Sequence, residues 1–284
     1  MIYVGTCGYA YKDWIGPFYP ATIKQREMLS YYAQRFSAVE IDATYYGILT
    51  QKTIVNMAER TPDLFRFCFK VPRTLTHEPG TSRVHVDAAL FRASMQPMLD
   101  AKKLGCALLQ FPNGFRPDHA AEVYLGRLAD ALGGLALVVE FRHVAWQEAK
   151  ALDFLASIGA GWCNVDMPQL ESLPKPGADV AGTVGYVRFH GRNAAQWWSG
   201  TNVTRYAYDY QAPELIPWVH RIADISGNAE ETFAFFNNHA RGSAAQNADL
   251  LEALLDERFG SLANARIAKP THKAPSQASL PGFA

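Results

Sequence analysis

Cysteine is scarce in this sequence and is never paired in a motif. The four cysteines, Cys7, Cys68, Cys106 and Cys163, form no Cys-x-x-Cys pair, and each lies in or beside a predicted strand. This spacing argues against a disulfide framework and against a structural zinc site, and it suits a reducing compartment. The sequence therefore predicts a cytoplasmic location.

Net charge and long apolar runs are also missing. Lys plus Arg and Asp plus Glu both total 27 in the 284 residues, so the formal net charge is zero. There is no overall basic field that would point to nucleic acid or to an acidic membrane surface. No run approaches the ~20 apolar residues of a membrane span, and Met1 to Gly5 is typical of a strand rather than of a signal peptide. We expect no membrane partner.

Short apolar runs alternate with helical patterns along most of the chain. The predicted strands are 2–7, 39–45, 65–71, 105–111, 135–142, 160–166, 184–190 and 231–237. The predicted helices are 24–36, 50–60, 86–103, 118–132, 145–158, 213–225 and 244–258. Eight strand–helix units predict an α/β fold closed into a (β/α)8 TIM-like barrel. An open doubly wound sheet is the alternative, but no Gly-x-Gly-x-x-Gly turn follows the first strand.

The domain is expected to span residues 1–260, followed by a poorly ordered tail, 261–284, rich in Ala, Pro, Ser and Lys. The barrel should be irregular around units six and seven. Three prolines, Pro168, Pro174 and Pro176, leave no room for a regular helix after strand six. Two long aromatic loops, 8–23 and 191–211, either fill hydrophobic gaps or form a lid over a substrate.

Polar residues alternate with apolar ones in several strands, which places them on one face. The apolar partners must pack on the outer helices, so the polar face should point into the barrel, near its C-terminal mouth. The predicted inward set is Glu40, Asp42 and Thr44; Cys68 and Lys70; Leu108 and Gln110; Val138, Glu140 and Arg142; Trp162, Asn164 and Asp166; Tyr186, Arg188 and His190. Either these charges form a buried ion-pair network, for which Glu40 is the best candidate, or they build a functional site.

Chemical roles can be assigned to this set. Glu140 is a candidate general acid or base if burial raises its pKa toward neutrality, and His190 is a candidate for proton transfer. Asp166 joins them as a candidate catalytic residue. The candidate substrate-binding residues are Lys70, Arg142 and Arg188 for an anionic group, Gln110, Asn237 and Asn238 for orientation, and Tyr45, His77, Trp14 and Asp42 around them.

The inward-facing polar residues do not identify a cofactor. A divalent metal is an alternative, because Glu140, His143, Asp166 and His190 offer ligands from three neighbouring strand ends. No His-x-His or His-Glu-x-x-His spacing supports it.

The ordered motifs resemble the family called domain of unknown function 72, also termed YecE-like. They are Gly5-Thr6-Cys7-Gly8-Tyr9, Phe18-Tyr19-Pro20, Val39-Glu40-Ile41-Asp42-Ala43-Thr44-Tyr45-Tyr46, Phe69-Lys70-Val71-Pro72, Leu109-Gln110-Phe111-Pro112, Val139-Glu140-Phe141-Arg142-His143, Arg188-Phe189-His190-Gly191 and Phe235-Phe236-Asn237-Asn238. The resemblance covers residues 2 to about 255. It implies a TIM-like barrel but no established reaction.

Two residues depart from the pattern of the family. The family usually has Ser where Cys7 stands and Asn where Asp42 stands. Cys7 puts a serine-type nucleophile in doubt or replaces it with a thiol, and Asp42 adds a negative charge that favours a cation there.

Three functions remain open at this point. The leading expectation is a hydrolase or lyase that acts on an anionic, for example phosphorylated, small molecule. A nucleic-acid-binding or metal-dependent nuclease-like protein is an alternative, prompted by a fold-level likeness of the family to apurinic endonuclease barrels. The third is a non-catalytic ligand-binding barrel, which predicts a fully paired charge network with no accessible cavity at the mouth.

Overall fold

A computed structural model describes residues 1–78 and 83–260. The predicted tail, 261–284, lies outside the described residues. Within the described part of the chain, no helix is both long and apolar enough to cross a bilayer.

Eight parallel strands close into one barrel, in the order in which they occur in the chain. They are β1 (Ile2–Cys7), β2 (Ala38–Ile41), β3 (Arg66–Lys70), β4 (Leu104–Gln110), β5 (Leu137–Glu140), β6 (Ala160–Asp166), β7 (Val184–Phe189) and β8 (Glu231–Phe236). The barrel closes where β1 pairs with β8, from Ile2 opposite Thr232 to Thr6 opposite Phe236. The predicted TIM-like fold is confirmed.

Helices pack outside the strands. The described residues form α1 (Met28–Tyr32), α2 (Ala43–Tyr46), α3 (Gln51–Glu59), α4 (Arg73–Thr76), α5 (Val84–Asp100), α6 (His119–Ala131), α7 (Ala149–Ser157), α8 (Asn202–Arg205), α9 (Ala212–Gly227) and α10 (Ser243–Phe259). Residues 167–183, between β6 and β7, contain no helix, as the prolines predict. The first predicted helix, 24–36, is shorter than expected, since Gln25–Glu27 forms a 3-10 turn and α1 ends at Tyr32.

The barrel interior is filled by aromatic, aliphatic and small sulfur-bearing side chains. Tyr3, Cys68, Cys106 and Phe233 belong to this inner cluster, and Tyr3 stacks on Phe233 at 5.0 Å between ring centroids. A Cβ added at Gly105 would lie 2.6 Å from the Phe233 ring, so that position in β4 requires glycine. The lower barrel is therefore a packed core, and any ligand must bind above it.

The predicted orientation of strand six is wrong. Cys163 and Val165 belong to the inner cluster, whereas Trp162 belongs to the outer one. Asn164 exchanges hydrogen bonds with the backbone of Asp179, and Asp166 binds partners in the outer layer that are described below. The prediction failed because these polar side chains find hydrogen-bonding partners between the sheet and the outer segments.

The predicted second strand, 39–45, is too long. β2 ends at Ile41, and residues 43–46 form the single turn α2. The Thr44 hydroxyl donates to the backbone oxygen of Lys70 at 2.6 Å, which ties this turn to the end of β3. Thr44 is therefore not an inward strand residue, although Asp42 still reaches the barrel mouth.

Candidate functional site

A buried charge network lies directly beneath the mouth of the barrel. The guanidinium of Arg188 donates from Nη2 to Glu40 Oε1 at 2.6 Å and from Nη1 to Glu140 Oε2 at 2.5 Å. The Tyr186 hydroxyl donates to the other oxygen of Glu40 at 2.7 Å. Glu40 and Glu140 are fully buried and Arg188 is 1% exposed. These contacts confirm that Glu40 takes part in a buried ion-pair network, as the sequence indicates.

Glu140 is the hub of this network. Besides Arg188, it accepts hydrogen bonds from Arg142 Nε and from the His190 ring at 3.1 Å. Burial alone would raise the pKa of Glu140, but Arg142, Arg188 and His190 together hold it well below its usual range. The expectation that the pKa of Glu140 rises toward neutrality is therefore wrong, because three donors stabilise the carboxylate.

His190 is neutral in this arrangement. Burial and the neighbouring Arg142 lower its pKa to about 3, although Glu140 opposes them. An ionised Glu140 only accepts, so Nε2 of His190 must carry the proton. Nδ1 is then free to accept from the Asn237 side-chain amide at 3.1 Å. A neutral, fully buried imidazole locked on both nitrogens is suited to hold its neighbours in place.

An open pocket of about 480 Å³ lies above this network. Eight of the predicted site residues line it, namely Asp42, Tyr45, Lys70, His77, Gln110, Arg142, Arg188 and Asn237. This cavity contradicts the picture of a closed, fully paired network. The volume is within the range of small-molecule sites.

The remaining predicted residues lie elsewhere. Glu140 and His190 are sealed beneath the pocket rather than exposed in it. Asn238 points outward and donates to Asn247 Oδ1 at 2.6 Å, because successive residues of an extended chain face opposite sides. Trp14 is buried under the first loop, where its indole donates to the His239 backbone at 2.6 Å.

Asp166 is an outer structural carboxylate. It accepts two hydrogen bonds from Arg192, at 2.8 and 2.7 Å, one from the Tyr210 hydroxyl at 2.7 Å and one from the Trp218 indole at 2.6 Å. These partners fix the loop after β7 and helix α9 against the barrel. The position does not favour the predicted catalytic role for Asp166.

The long loop after β7 supplies pocket residues that sequence reasoning did not assign to the site. Trp197, Trp198, Arg205 and Tyr206 all line the pocket. The aromatic content of the loop signals a lid for three of them, whereas no pattern singles out Arg205. The first aromatic loop contributes Tyr11 to the pocket, whereas its Trp14 and Tyr19 are buried and fill a gap in the core.

Tyr206 has an unusual phenol. Burial would raise its pKa, but the adjacent Arg142 guanidinium, with further help from Arg188 and Lys70, lowers it below the ordinary value. Its ring lies 5.9 Å from the His190 ring and 6.0 Å from the Trp197 ring. A pocket phenol whose pKa is lowered is suited to proton transfer.

Metal binding has little support in this geometry. The predicted ligands do not converge, because Asp166 points outward and His143 Nδ1 accepts from the backbone of Ala145. Among the described residues, one group of potential ligands does cluster: Cys7, Glu40 and Asp42. The Arg188 guanidinium already supplies the positive charge there, since Nη2 lies 2.6 Å from Glu40, 3.5 Å from Cys7 and 3.8 Å from Asp42.

Cys7 does not offer a thiol nucleophile. The side chain is fully buried, and burial, together with Glu40, raises its pKa well above the ordinary value. Asp42, the second departure from the family pattern, faces the Arg188 guanidinium instead of a free cation.

Comparisons with known proteins agree with the fold. The family model described as "Protein of unknown function DUF72" matches residues 3–274. UPF0759 protein YunF of Bacillus subtilis is 31% identical over 93% of this chain and 98% of its own length. A crystal structure of a DUF72 family protein from Thermotoga maritima superposes with a TM-score of 0.83 at 32% identity, covering 90% of this chain and 99% of that one. One from Enterococcus faecalis gives 0.81 at 27% identity, over 90% and 96%.

Proposed function

We propose that this chain, which belongs to the DUF72 family of proteins of unknown function, is an enzyme that acts on a small anionic substrate in the pocket at the barrel mouth. The observation that carries the proposal is the convergence of four cationic side chains, Lys70, Arg142, Arg188 and Arg205, on that pocket. A hydrolase or a lyase acting on a phosphorylated or carboxylated metabolite fits this composition.

The charges favour an anion because of where they lie. Three guanidinium groups, Arg142, Arg188 and Arg205, match the three nearby carboxylates, Glu40, Asp42 and Glu140, and Lys70 adds a fourth positive charge only when it is protonated. Two of those carboxylates are fully buried, so a ligand meets the cationic side first. Both of these carboxylates bind Arg188, whereas Arg142 donates only its Nε to Glu140. The terminal nitrogens of Arg142 and the guanidinium of Arg205 are therefore the groups available for charge-assisted hydrogen bonds with a ligand.

Acid–base work is assigned to Tyr206 rather than to Glu140 and His190. A phenol with a lowered pKa can protonate a leaving oxygen and recover the proton afterwards. Glu140 and His190 act as positioning residues, since their hydrogen bonds fix the guanidinium groups of Arg142 and Arg188. A preorganised cationic site of this kind stabilises negative charge that develops during a reaction.

The experiment is titration calorimetry with inorganic phosphate at low ionic strength. Arg205 forms no ion pair within the described residues, so Arg205→Gln removes a pocket charge without orphaning a carboxylate. We expect phosphate binding to weaken by about ten- to a hundredfold, as the loss of a charged hydrogen bond implies. The matched control is Arg127→Gln, at an exposed position on α6, which should bind like the wild type.

Two outcomes would contradict the proposal. The first is that the wild-type protein does not bind phosphate or any member of a panel of small carboxylates and phosphate esters. The second is that Arg205→Gln and Arg127→Gln weaken binding equally. A turnover screen with the same panel then tests the enzymatic part, where Tyr206→Phe should bind normally and lose turnover.

A second candidate function, nucleic-acid binding, is favoured by the rim of the pocket. Tyr46 and Trp198 line the pocket and are 74% and 58% exposed, as suits side chains that stack on bases. A gel-shift series with single-stranded and abasic DNA at low salt tests it. Binding that weakens steeply with salt and is lost in Trp198→Ala would support this function, whereas no shift at low salt would eliminate it.

A further inference from the structure

Lys70 is the one lysine that lines the pocket among the described residues. It ends β3, and its amine lies 4.2 Å from the centre of the Tyr45 ring. Within residues 1–78 and 83–260, no carboxylate forms an ion pair with this amine and no hydrogen bond from it is found. The carboxylate that most favours the charged form of this amine is Asp42, and Asp42 also faces Arg188 at 3.8 Å. The amine is therefore held at the pocket without a fixed partner.

This environment disfavours the charged ammonium form. Burial lowers the pKa of Lys70, and Arg188 and Arg142 lower it further, while Asp42 and Glu140 oppose them. Crowding an amine against other cations in a poorly solvated pocket is a known way to obtain a neutral, nucleophilic lysine. The face of the Tyr45 ring, 4.2 Å from the amine, attracts the charged form and partly offsets this effect, but it offers no strong hydrogen-bond acceptor.

We propose that Lys70 is a catalytic nucleophile that forms an imine with the carbonyl carbon of the substrate. The inference rests on the proposed function, because the anionic group of the same substrate would be held by Arg142 and Arg205. The substrate class then narrows to small molecules that carry both a carbonyl group and a phosphate or carboxylate.

The chemistry balances without any further reagent. The neutral amine attacks the carbonyl carbon, so a carbon–nitrogen bond forms and the carbon–oxygen π bond breaks. The two amine protons and the carbonyl oxygen leave as water, and the imine remains. Tyr206 lines the same pocket and is placed to pass a proton to the departing oxygen. Hydrolysis of the imine by water returns the free lysine.

Lys103, a buried lysine outside the pocket, shows the contacts of a structural role. The amine of Lys103 donates to the backbone oxygens of Ala58 and Thr61 at 2.6 and 2.7 Å and to the Thr61 hydroxyl at 3.3 Å. It closes the C-terminal end of α3, with all of its donors engaged. Lys70 has no such set of acceptors, which is why the structure assigns it a chemical role.

The test uses pyridoxal 5′-phosphate as a probe, because it joins an aldehyde to a phosphate. The full chain is incubated with the probe near neutral pH, reduced with borohydride and mapped by peptide mass spectrometry. We expect Lys70 to be labelled at least about tenfold faster than exposed lysines, because a larger share of its amine is in the neutral, nucleophilic form. The fast phase of labelling should be lost in Lys70→Met. It should persist in the control variant Lys52→Met, because Lys52 lines a neighbouring surface cavity and not the pocket at the barrel mouth.

The outcomes separate this inference from the proposed function. Labelling spread over surface lysines, together with phosphate binding that depends on Arg205, would overturn the imine role and leave the anion site standing. Labelling of Lys70 that is equally fast with pyridoxal, which lacks the phosphate, would support the nucleophile and contradict the anion site. If Lys70 is not labelled and phosphate does not bind, both fail.

Discussion

Replacing Glu140 by glutamine tests the buried network most severely. The side chain is fully buried and accepts hydrogen bonds from Arg142, Arg188 and His190. In Glu140→Gln, the Arg142 guanidinium loses its only ion pair among the described residues, and Arg188 keeps Glu40 alone at close range. An amide also places a donor among three donors. The variant should therefore contain a poorly compensated buried cation.

The magnitude follows from the removal of one partner from a buried ion pair. Such changes cost about 3–5 kcal/mol, which is a large part of the ~5–15 kcal/mol stability of a typical domain. We expect a melting temperature lower by roughly 10 °C, as the scaling for domains of this size implies. Urea unfolding followed by circular dichroism gives the free energy directly. The matched control, Glu171→Gln at an exposed loop position, should change stability by less than about 0.5 kcal/mol.

The pH dependence of stability, compared between the wild-type protein and Glu140→Gln, supplies a second measurement. Folding lowers the pKa of Glu140, so its contribution is present above the unfolded-state pKa of about 4.3 and is lost as the pH falls toward the folded-state value. Wild-type stability should thus fall more steeply than that of Glu140→Gln between about pH 5 and pH 3. The central role of Glu140 in the network would be refuted if Glu140→Gln lowered the free energy of unfolding by less than about 1 kcal/mol at neutral pH. It would also be refuted if the stability of the two proteins fell equally steeply between about pH 5 and pH 3.

Three further predictions concern residues outside the pocket. Asp166→Asn should destabilise the fold by about 3–5 kcal/mol in urea unfolding, because it weakens four hydrogen bonds to a fully buried carboxylate, two of them buried and two, from Arg192, half-buried, yet it should leave the affinity for phosphate in calorimetry unchanged; a change in that affinity would return Asp166 to the site. Lys103→Met should cost about 1–3 kcal/mol in the same unfolding assay, since three oxygen acceptors lose their donor; an unchanged midpoint would contradict the role given to Lys103. The four cysteines, all free and buried, should react with an aromatic disulfide reagent only after denaturation, and rapid reaction of the native protein would contradict their burial.

The strands were predictable because burial on both faces leaves a strong local signal. Strand β7 shows this best, since Tyr186, Arg188 and His190 alternate with two apolar residues and indeed face the barrel axis. Strand β6 has a similar alternation, but its polar face points outward. The partners of Asp166 lie 26, 44 and 52 residues further along the chain, and no local pattern reveals contacts at that distance.

Parts of the site were also predictable, because polar and apolar residues alternate along the strands. Lys70, Gln110 and Arg142 follow or end strands whose inward face is evident from alternation, and each lines the pocket. Arg205 ends the single helical turn α8 and Tyr206 follows it directly, and one turn is too short for a helical or strand period in the sequence to fix the direction of a side chain. Tertiary packing alone brings them over the barrel mouth.

The protonation states could not be predicted from the sequence. Glu140 and His190 were expected to exchange protons, and both are instead locked in one state by the number of donors around a single carboxylate. That number depends on the geometry of three strands. A count of charged residues therefore identifies the neighbourhood of a site without identifying its acid and base.

The position of a bound anion tests the central claim most directly. Crystals soaked in tungstate, a heavy-atom analogue of phosphate, would show its place by anomalous diffraction. If the pocket is an anion site, a peak will lie within hydrogen-bonding distance of Arg142 and Arg205 at the barrel mouth, and phosphate will displace it. A peak confined to the outer surface, or no peak in the pocket, would contradict the claim.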